Sequence, residues 1–196
     1  MPARVLRTDR LVLRDWRESD RAPFAALNAD PAVMEHFPST LDRGRCDAFI
    51  DRQSALLDQR SWGIWALEAD GEFLGFTGLA VPSFDAPFMP AVEIGWRLAR
   101  PAWGHGYATE AARAVVALAF TSQPAGLGLA ELVSFTATTN QRSRRVMERL
   151  GMTHDQAGDF DHPAVPEGHA VRRHVLYRLH AGAVTSDTGA RSAERD

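Results

Sequence analysis

Two glycines, Gly104 and Gly106, stand between an apolar run and a helical pattern. The run is Val92 to Ala99, followed by a short link containing Pro101. The helical pattern starts at once, with Ala108, Ala111, Ala112, Val115, Ala119 and Phe120 on one face. Strand, glycine turn and helix together present unpaired backbone N–H groups to an anion. The first turn of a helix has orphan donors and the positive end of the dipole. Glycine lets a ligand come close to the backbone. Gly104, His105, Gly106, Tyr107, Ala108 and Thr109 are therefore the candidate seat of a phosphate-bearing cofactor. A plain strand-to-helix turn is the alternative. No Gly-Lys-Ser or Gly-Lys-Thr occurs, so this is no Walker loop. A dinucleotide fingerprint needs a third glycine where Thr109 stands, and a turn without the Pro link. Glu131 lies about 20 residues on, but at the start of the next strand, where a ribose-binding acid does not belong.

Trp103-Gly104-His105-Gly106-Tyr107-Ala108 resembles the pyrophosphate signature of the GNAT superfamily of acyl-CoA N-acetyltransferases, Gln/Arg-x-x-Gly-x-Gly/Ala. Gly106 and Ala108 match its last fixed positions, and Trp103 replaces the usual Gln or Arg. Asn140 to Met152 is similar to the Asn-x-x-Ser-x-x-hydrophobic-x-x-x-Leu-Gly-Phe block of the same superfamily. Thr8 to Arg14 and Arg173 to Leu179 resemble the opening and close of its ribosomal-protein N-terminal acetyltransferase branch. The blocks stand in the right order, and the resemblance covers residues 5 to 180. It implies acetyl-CoA as cosubstrate and an amine as acceptor. It also implies that the strands at 92–99 and 132–137 splay apart, with the pantetheine arm pairing like an added strand with backbone groups of Arg97, Leu98 and Ala99.

Amine acetylation needs a neutral amine, a stabilised oxyanion and a protonated leaving thiolate. An α-amine, near pKa 7.7–8.0, needs less help from a base than an alkylamine near 10. Ser143 shares the apolar face of Val146, Met147 and Leu150, and its hydroxyl needs a partner. One partner is a carbonyl a turn back. The other, implied by the resemblance, is the thioester sulfur, which makes Ser143 the candidate acid. Asn140 can cap the same helix, and the resemblance adds a contact to pantetheine. Glu93 opens the strand beside the expected acetyl group and is the candidate base, with a solvated carboxylate or an ion pair as the alternative. Glu110, in the first turn of the cofactor helix, reads as structural. The histidines show no His-Glu-x-x-His spacing and no paired cysteines, so a metal is not expected. Residues 159–163 either line the acceptor mouth or form a solvated loop.

The elements that must position these residues follow from periodicity. Leu6 to Trp16 alternates as a strand, and Ser19 or Asp20 can cap a helix carrying Phe24 and Leu27. Asp30-Pro31 starts a short second helical piece. Asp42 to Gln59 is a longer helix. Trp62–Ala69 and Glu72–Val81 form a hairpin across Asp70-Gly71. Residues 82–90, rich in Pro and Phe, form a loop near the acceptor. Further elements are a strand at 92–99, a helix at 106–122, a strand at 132–137, a helix at 141–150 and a strand at 170–179. The order implies an α/β fold, a mixed, mostly antiparallel twisted sheet with helices on both faces. One domain spans residues 1 to 180, and the polar stretch 181–196 is expected to be a disordered tail. Net charge of −3 argues against nucleic-acid binding. No run approaches the ~20 apolar residues of a membrane span. A single cysteine suits a reducing cytoplasm. All 22 basic residues are arginine, which is read as coding bias rather than protection from self-acetylation. The reading is an N-acetyltransferase acting on a protein N-terminus or a small amine, possible as a homodimer. The alternative is a catalytically idle acyl-CoA-binding module.

Overall fold

A computed structural model describes residues 5–182. The tail expected from residue 181 lies outside the described residues, except for Ala181 and Gly182. Nine strands form one sheet: β1 (Leu6–Arg7), β2 (Val12–Arg14), β3 (Ile64–Ala69), β4 (Glu72–Ala80), β5 (Glu93–Leu98), β6 (Glu131–Ala137), β7 (Thr153–His154), β8 (Phe160–Asp161) and β9 (Arg173–His180). Four helices accompany them: α1 (Arg21–Ala29), α2 (Arg43–Arg60), α3 (Tyr107–Phe120) and α4 (Gln141–Arg149). The strand order is β1-β2-β3-β4-β5-β6-β9-β7, with β8 beside β9. Every pairing is antiparallel except β5 with β6. The mixed, mostly antiparallel sheet expected from the sequence is the one observed. No described helix is long and apolar enough to cross a membrane.

The parallel contact decides the architecture. β5 and β6 pair at one position, Glu93 with Val133, where Val133 N–H donates to Val92 O at 2.9 Å. Beyond that point the strands part. β5 stays bonded to β4, and β6 to β9. The result is a V-shaped opening with Glu93 at its vertex.

A bulge in β4 shapes one wall. Leu67 pairs with Gly75 and Glu68 with Phe73, so Leu74 is an extra residue. The bulge puts Phe73 and Phe76 on the same face, although they are three residues apart. Both reach Phe24 of α1, with ring centroids at 6.4 and 6.1 Å. Trp16 and Phe49 complete this aromatic layer beneath α1 and α2. On the other face α3 packs across β4 and β5 through Ala111, Ala112, Val115 and Ala119, all fully buried. Gly75 is required at the bulge. Its φ is +142°, and an added Cβ would lie 2.2 Å from Arg97 O.

The single strand expected over 6–16 is instead a hairpin, β1 with β2. Thr8 turns the chain, its N–H donating to Leu11 O and its Oγ1 accepting from Leu11 N–H, both at 3.0 Å. Periodicity did not show this because Leu6, Leu11 and Leu13 stay apolar on either side of the turn. The helical piece expected after Asp30-Pro31 is a run of turns reaching residue 39.

Asp20 anchors the first helix. It lies just before α1, 1% exposed, and takes two bonds from Arg14, at 2.7 and 2.8 Å. Its Oδ2 also accepts from Arg17 N–H at 2.8 Å. Arg14 bonds Glu68 as well, at 2.6 Å. Removing one member of such a pair leaves a buried charge short of its partner. Asp20→Ala is expected to cost about 3 kcal/mol in denaturant unfolding. A loss below about 1 kcal/mol, the scale of an exposed pair, would contradict that role.

Candidate active site

The opening between β5 and β6 continues as a cavity of about 740 Å³. One end is built by the glycine turn. Gly104 and Gly106 have φ of +83° and +80°, and Gly106 is the N-cap of α3. The first intrahelical bond is Glu110 N–H to Gly106 O at 3.0 Å. The N–H groups of Tyr107, Ala108 and Thr109 therefore lack helical partners. An added Cβ at Gly104 would meet no atom within 4 Å. Glu110 does not face this end as a free charge. It accepts from Thr8 Oγ1 at 2.5 Å and from Arg10 Nε at 2.7 Å, which ties the β1–β2 turn to α3. Its pKa is lowered by these hydrogen bonds against the opposing effect of burial. The structural reading of Glu110 fits these contacts.

Helix α4 supplies the other wall. Asn140 caps it, its Oδ1 accepting from Ser143 N–H at 3.1 Å. Asn140 Nδ2 donates to Thr136 Oγ1 at 2.9 Å and to Ser143 Oγ at 3.2 Å. Ser143 Oγ thus accepts within the protein, and its own proton is available to the cavity it lines. Trp103, the departure from the expected Gln or Arg, donates its indole N–H to Leu98 O at 2.9 Å. Arg142 lies over the Trp103 ring at 4.4 Å. This stack links α4 to the chain between β5 and α3.

The free edge of β5 is displaced from the one expected. Ala99 N–H donates to Leu74 O at 2.9 Å, so it faces β4. Peptide groups alternate along a strand, so Arg97 also turns its backbone to β4. Trp96 and Leu98 present theirs to the opening. Of Arg97, Leu98 and Ala99, only Leu98 therefore offers an edge N–H, and Trp96 joins it. The sequence established where the strand lies but not the parity of its hydrogen bonds.

The vertex holds Glu93. Burial pushes its carboxyl up from 4.5 to about 8. Gly95, next on the same face, adds no side chain. Arg97 follows, extending between the rings of Phe37 and Phe76 at 4.0 and 5.4 Å. Opposite stand Phe135, His162 and His174. His162 accepts from Ala164 N–H at Nδ1, 3.2 Å away, and His174 Nδ1 lies 3.0 Å from Arg172 O. Burial lowers both histidines, His162 to about 4, so both are neutral at pH 7. His36 Nδ1 lies 3.3 Å from Thr139 Oγ1 and closes the cavity from the α1–α2 connection. The 82–90 loop, expected near the acceptor, backs the cavity wall without lining it. Phe84 and Phe88 pack behind it, against Phe135 and Phe160. Sequence reading missed His36, Phe37 and His174, because two segments far apart in the chain bring them together and no local spacing marks them. Among the described residues no group of three His, Cys, Asp or Glu is placed to hold a metal.

Residues 10–153 match the Acetyltransferase (GNAT) domain. The chain belongs to the GNAT acetyltransferase family. It is 36% identical to the FsC-acetyl coenzyme A-N(2)-transacetylase of Aspergillus fumigatus, over 92% of this chain and 81% of that protein. An acetyltransferase of Agrobacterium tumefaciens superposes with a TM-score of 0.71 at 28% identity, covering 92% of this chain and 96% of that one. The ribosomal L7/L12 α-N-protein acetyltransferase RimL, in complex with coenzyme A, gives 0.69 at 17% identity, covering 90% and 98%. That last likeness concerns the fold. The protein is an acetyl-CoA-dependent GNAT acetyltransferase.

The cavity suits that cosubstrate. Gly106 N-caps α3 in a left-handed conformation, and the donors beyond it belong to backbone rather than side chains. Glu93 lines the same cavity, its carboxyl pushed up by burial to about 8. Its raised pKa gives a stability signature. Between pH 4.5 and 8 the unfolded chain has lost this proton while the folded protein retains it. Stability therefore falls as pH rises through that window. Glu93→Gln removes the penalty. The variant's gain in melting temperature over wild type should be larger at pH 9 than at pH 5. An equal difference at both would mean that the carboxyl is not held neutral by burial.

Proposed function

We propose that this protein transfers an acetyl group from acetyl-CoA to a primary amine by direct attack within a ternary complex. The observation that carries the reading is Glu93, a buried carboxyl at the vertex of the cleft with its pKa raised to about 8. Acetyl-CoA supplies the activated acyl carbon as a thioester. The residues 104–109 hold the pyrophosphate, and the edge groups of Trp96 and Leu98, with Asn140, hold the pantetheine arm. Glu93, directly or through a water, takes the proton that the attacking amine gives up. Ser143 donates its hydroxyl proton in a hydrogen bond to the departing sulfur. Cys46 is fully buried among α1 and α2, with its thiol pushed up by burial, so it is no acyl carrier. A free buried thiol also fits a reducing compartment, the cytoplasm.

The acceptor is a small amine or the α-amine at the end of a chain. An α-amine, near pKa 8, loses its proton in the same range as Glu93, so one weak base serves it. The relative in Aspergillus fumigatus is named for transfer to an N(2) position, which accords with such an amine. Val33, Phe37, His162 and Val165 are among the residues lining the cavity that would receive it.

Release of free CoA, followed with panels of amines, tests the reading. Glu93→Gln is expected to lower kcat by about 100-fold or more. Ser143→Ala should lower kcat by less, because a serine hydroxyl is a weak acid. Both variants should keep their affinity for CoA. Wild-type turnover in both variants would remove these roles, and silence of the wild type with every amine would favour an idle acyl-CoA-binding module.

A further inference from the structure

Arg97 is a cation without a counter-charge. Among the described residues no carboxylate forms an ion pair with it. Its guanidinium donates from Nη1 to Asn28 Oδ1, a neutral amide. The buried Nε has no hydrogen-bond partner. The rest of its surroundings are the faces of Phe37 and Phe76, and the Cys46 thiol, kept neutral by burial. Ring faces attract a cation but do not replace hydrogen bonds. Burial lowers the guanidinium to about 10, which leaves it charged at neutral pH. A partly buried charge with no acidic partner is costly unless something pairs with it. Arg97 and Glu93 line the same cavity.

Position adds a second constraint. Glu93, Gly95 and Arg97 share one face of β5, and the glycine leaves open floor between base and cation. Residues four apart on a strand are separated by about 13 Å at Cα. An acceptor whose amine sits at Glu93 thus meets Arg97 several atoms further along.

We infer that the acceptor is a small amine bearing a carboxylate several bonds from the amine, and that Arg97 pairs with this carboxylate. The inference rests on the acetyl transfer proposed above. Arg97 acts here as an anchor and takes no part in the proton transfers. A free α-amino acid holds its two groups too close together to span this floor. A short ω-amino acid or a dipeptide has the required reach. Guanidinium is suited to the task because it stays charged when partly desolvated and carries several N–H donors.

The test compares matched acids and amides. CoA release is measured with glycine, 4-aminobutyrate, 6-aminohexanoate and glycylglycine, each beside its terminal amide. Wild type is expected to favour the longer acids over their amides by about 10-fold or more in kcat/KM, carried by KM. In Arg97→Gln that ratio should fall to near one, and Arg97→Lys should restore part of it. A wild-type ratio near one at every length would overturn the inference while leaving the acetyl transfer intact. This comparison needs no variant, so a poorly folded Arg97→Gln does not cloud it. A second arm reads binding alone. The melting temperature of wild type with CoA should rise with N-acetyl-6-aminohexanoate and not with its amide, and an equal response to both would also overturn the inference. Absence of CoA release with every amine would count against the transfer reaction instead, and the anchor would then stand or fall on the binding arm.

Discussion

The parting of β5 from β6 after one paired position is the constraint on which the rest depends. A sheet that opens leaves backbone donors and acceptors without partners, and buried ones must be satisfied. In the described residues several devices manage that opening. The Leu74 bulge and Gly75 let β4 press directly on the Arg97 carbonyl and keep β5 bonded on its other side. Trp103 occupies the carbonyl of Leu98. Asn140 caps α4 and ties it to Thr136 of β6. What remains unpaired is a short strip of strand edge and the first turn of α3. Those are the groups that an extended, phosphate-ended cosubstrate can use.

Charge is distributed around this opening with the same economy. Glu110 stands at the phosphate end, where a free carboxylate would repel the ligand, and it is held by Thr8 and Arg10. Glu93 stands at the vertex where β5 and β6 part, and burial pushes its carboxyl up to about 8. Arg97 shares the face of Glu93 and has no acidic partner among the described residues, its Nη1 donating to the neutral amide of Asn28. The histidines across the cavity are neutral at pH 7 and present polar edges without charge. Glu93 and Arg97 thus stand on one face of β5, beside the rings of Phe37 and Phe76.

Much of this was legible in the sequence. The glycine turn, the α4 cap and the hairpin at Asp70-Gly71 are local chemistry, and each is found where its residues stand. The family followed from four short blocks in order. Other features were not legible because they depend on long-range geometry. The edge groups of β5 were misassigned by one residue, because bond parity is set by pairing with β4. The turn at Thr8 was hidden by apolar residues on both sides. The cavity walls at His36, His162 and His174 come from segments that meet only after folding, where β8 pairs with β9. Arg97 was read for its backbone alone, because no spacing rule shows that a side-chain cation lacks an acidic partner.

The central claim is that the free edge of β5 and the turn before α3 together hold the cosubstrate. Amide hydrogen exchange with and without CoA tests it most directly. Slowed exchange is expected at Trp96 and Leu98 and across residues 104–109, with the β3–β4 hairpin unchanged. Saturation with CoA that leaves both segments exchanging at their free rates would contradict the account.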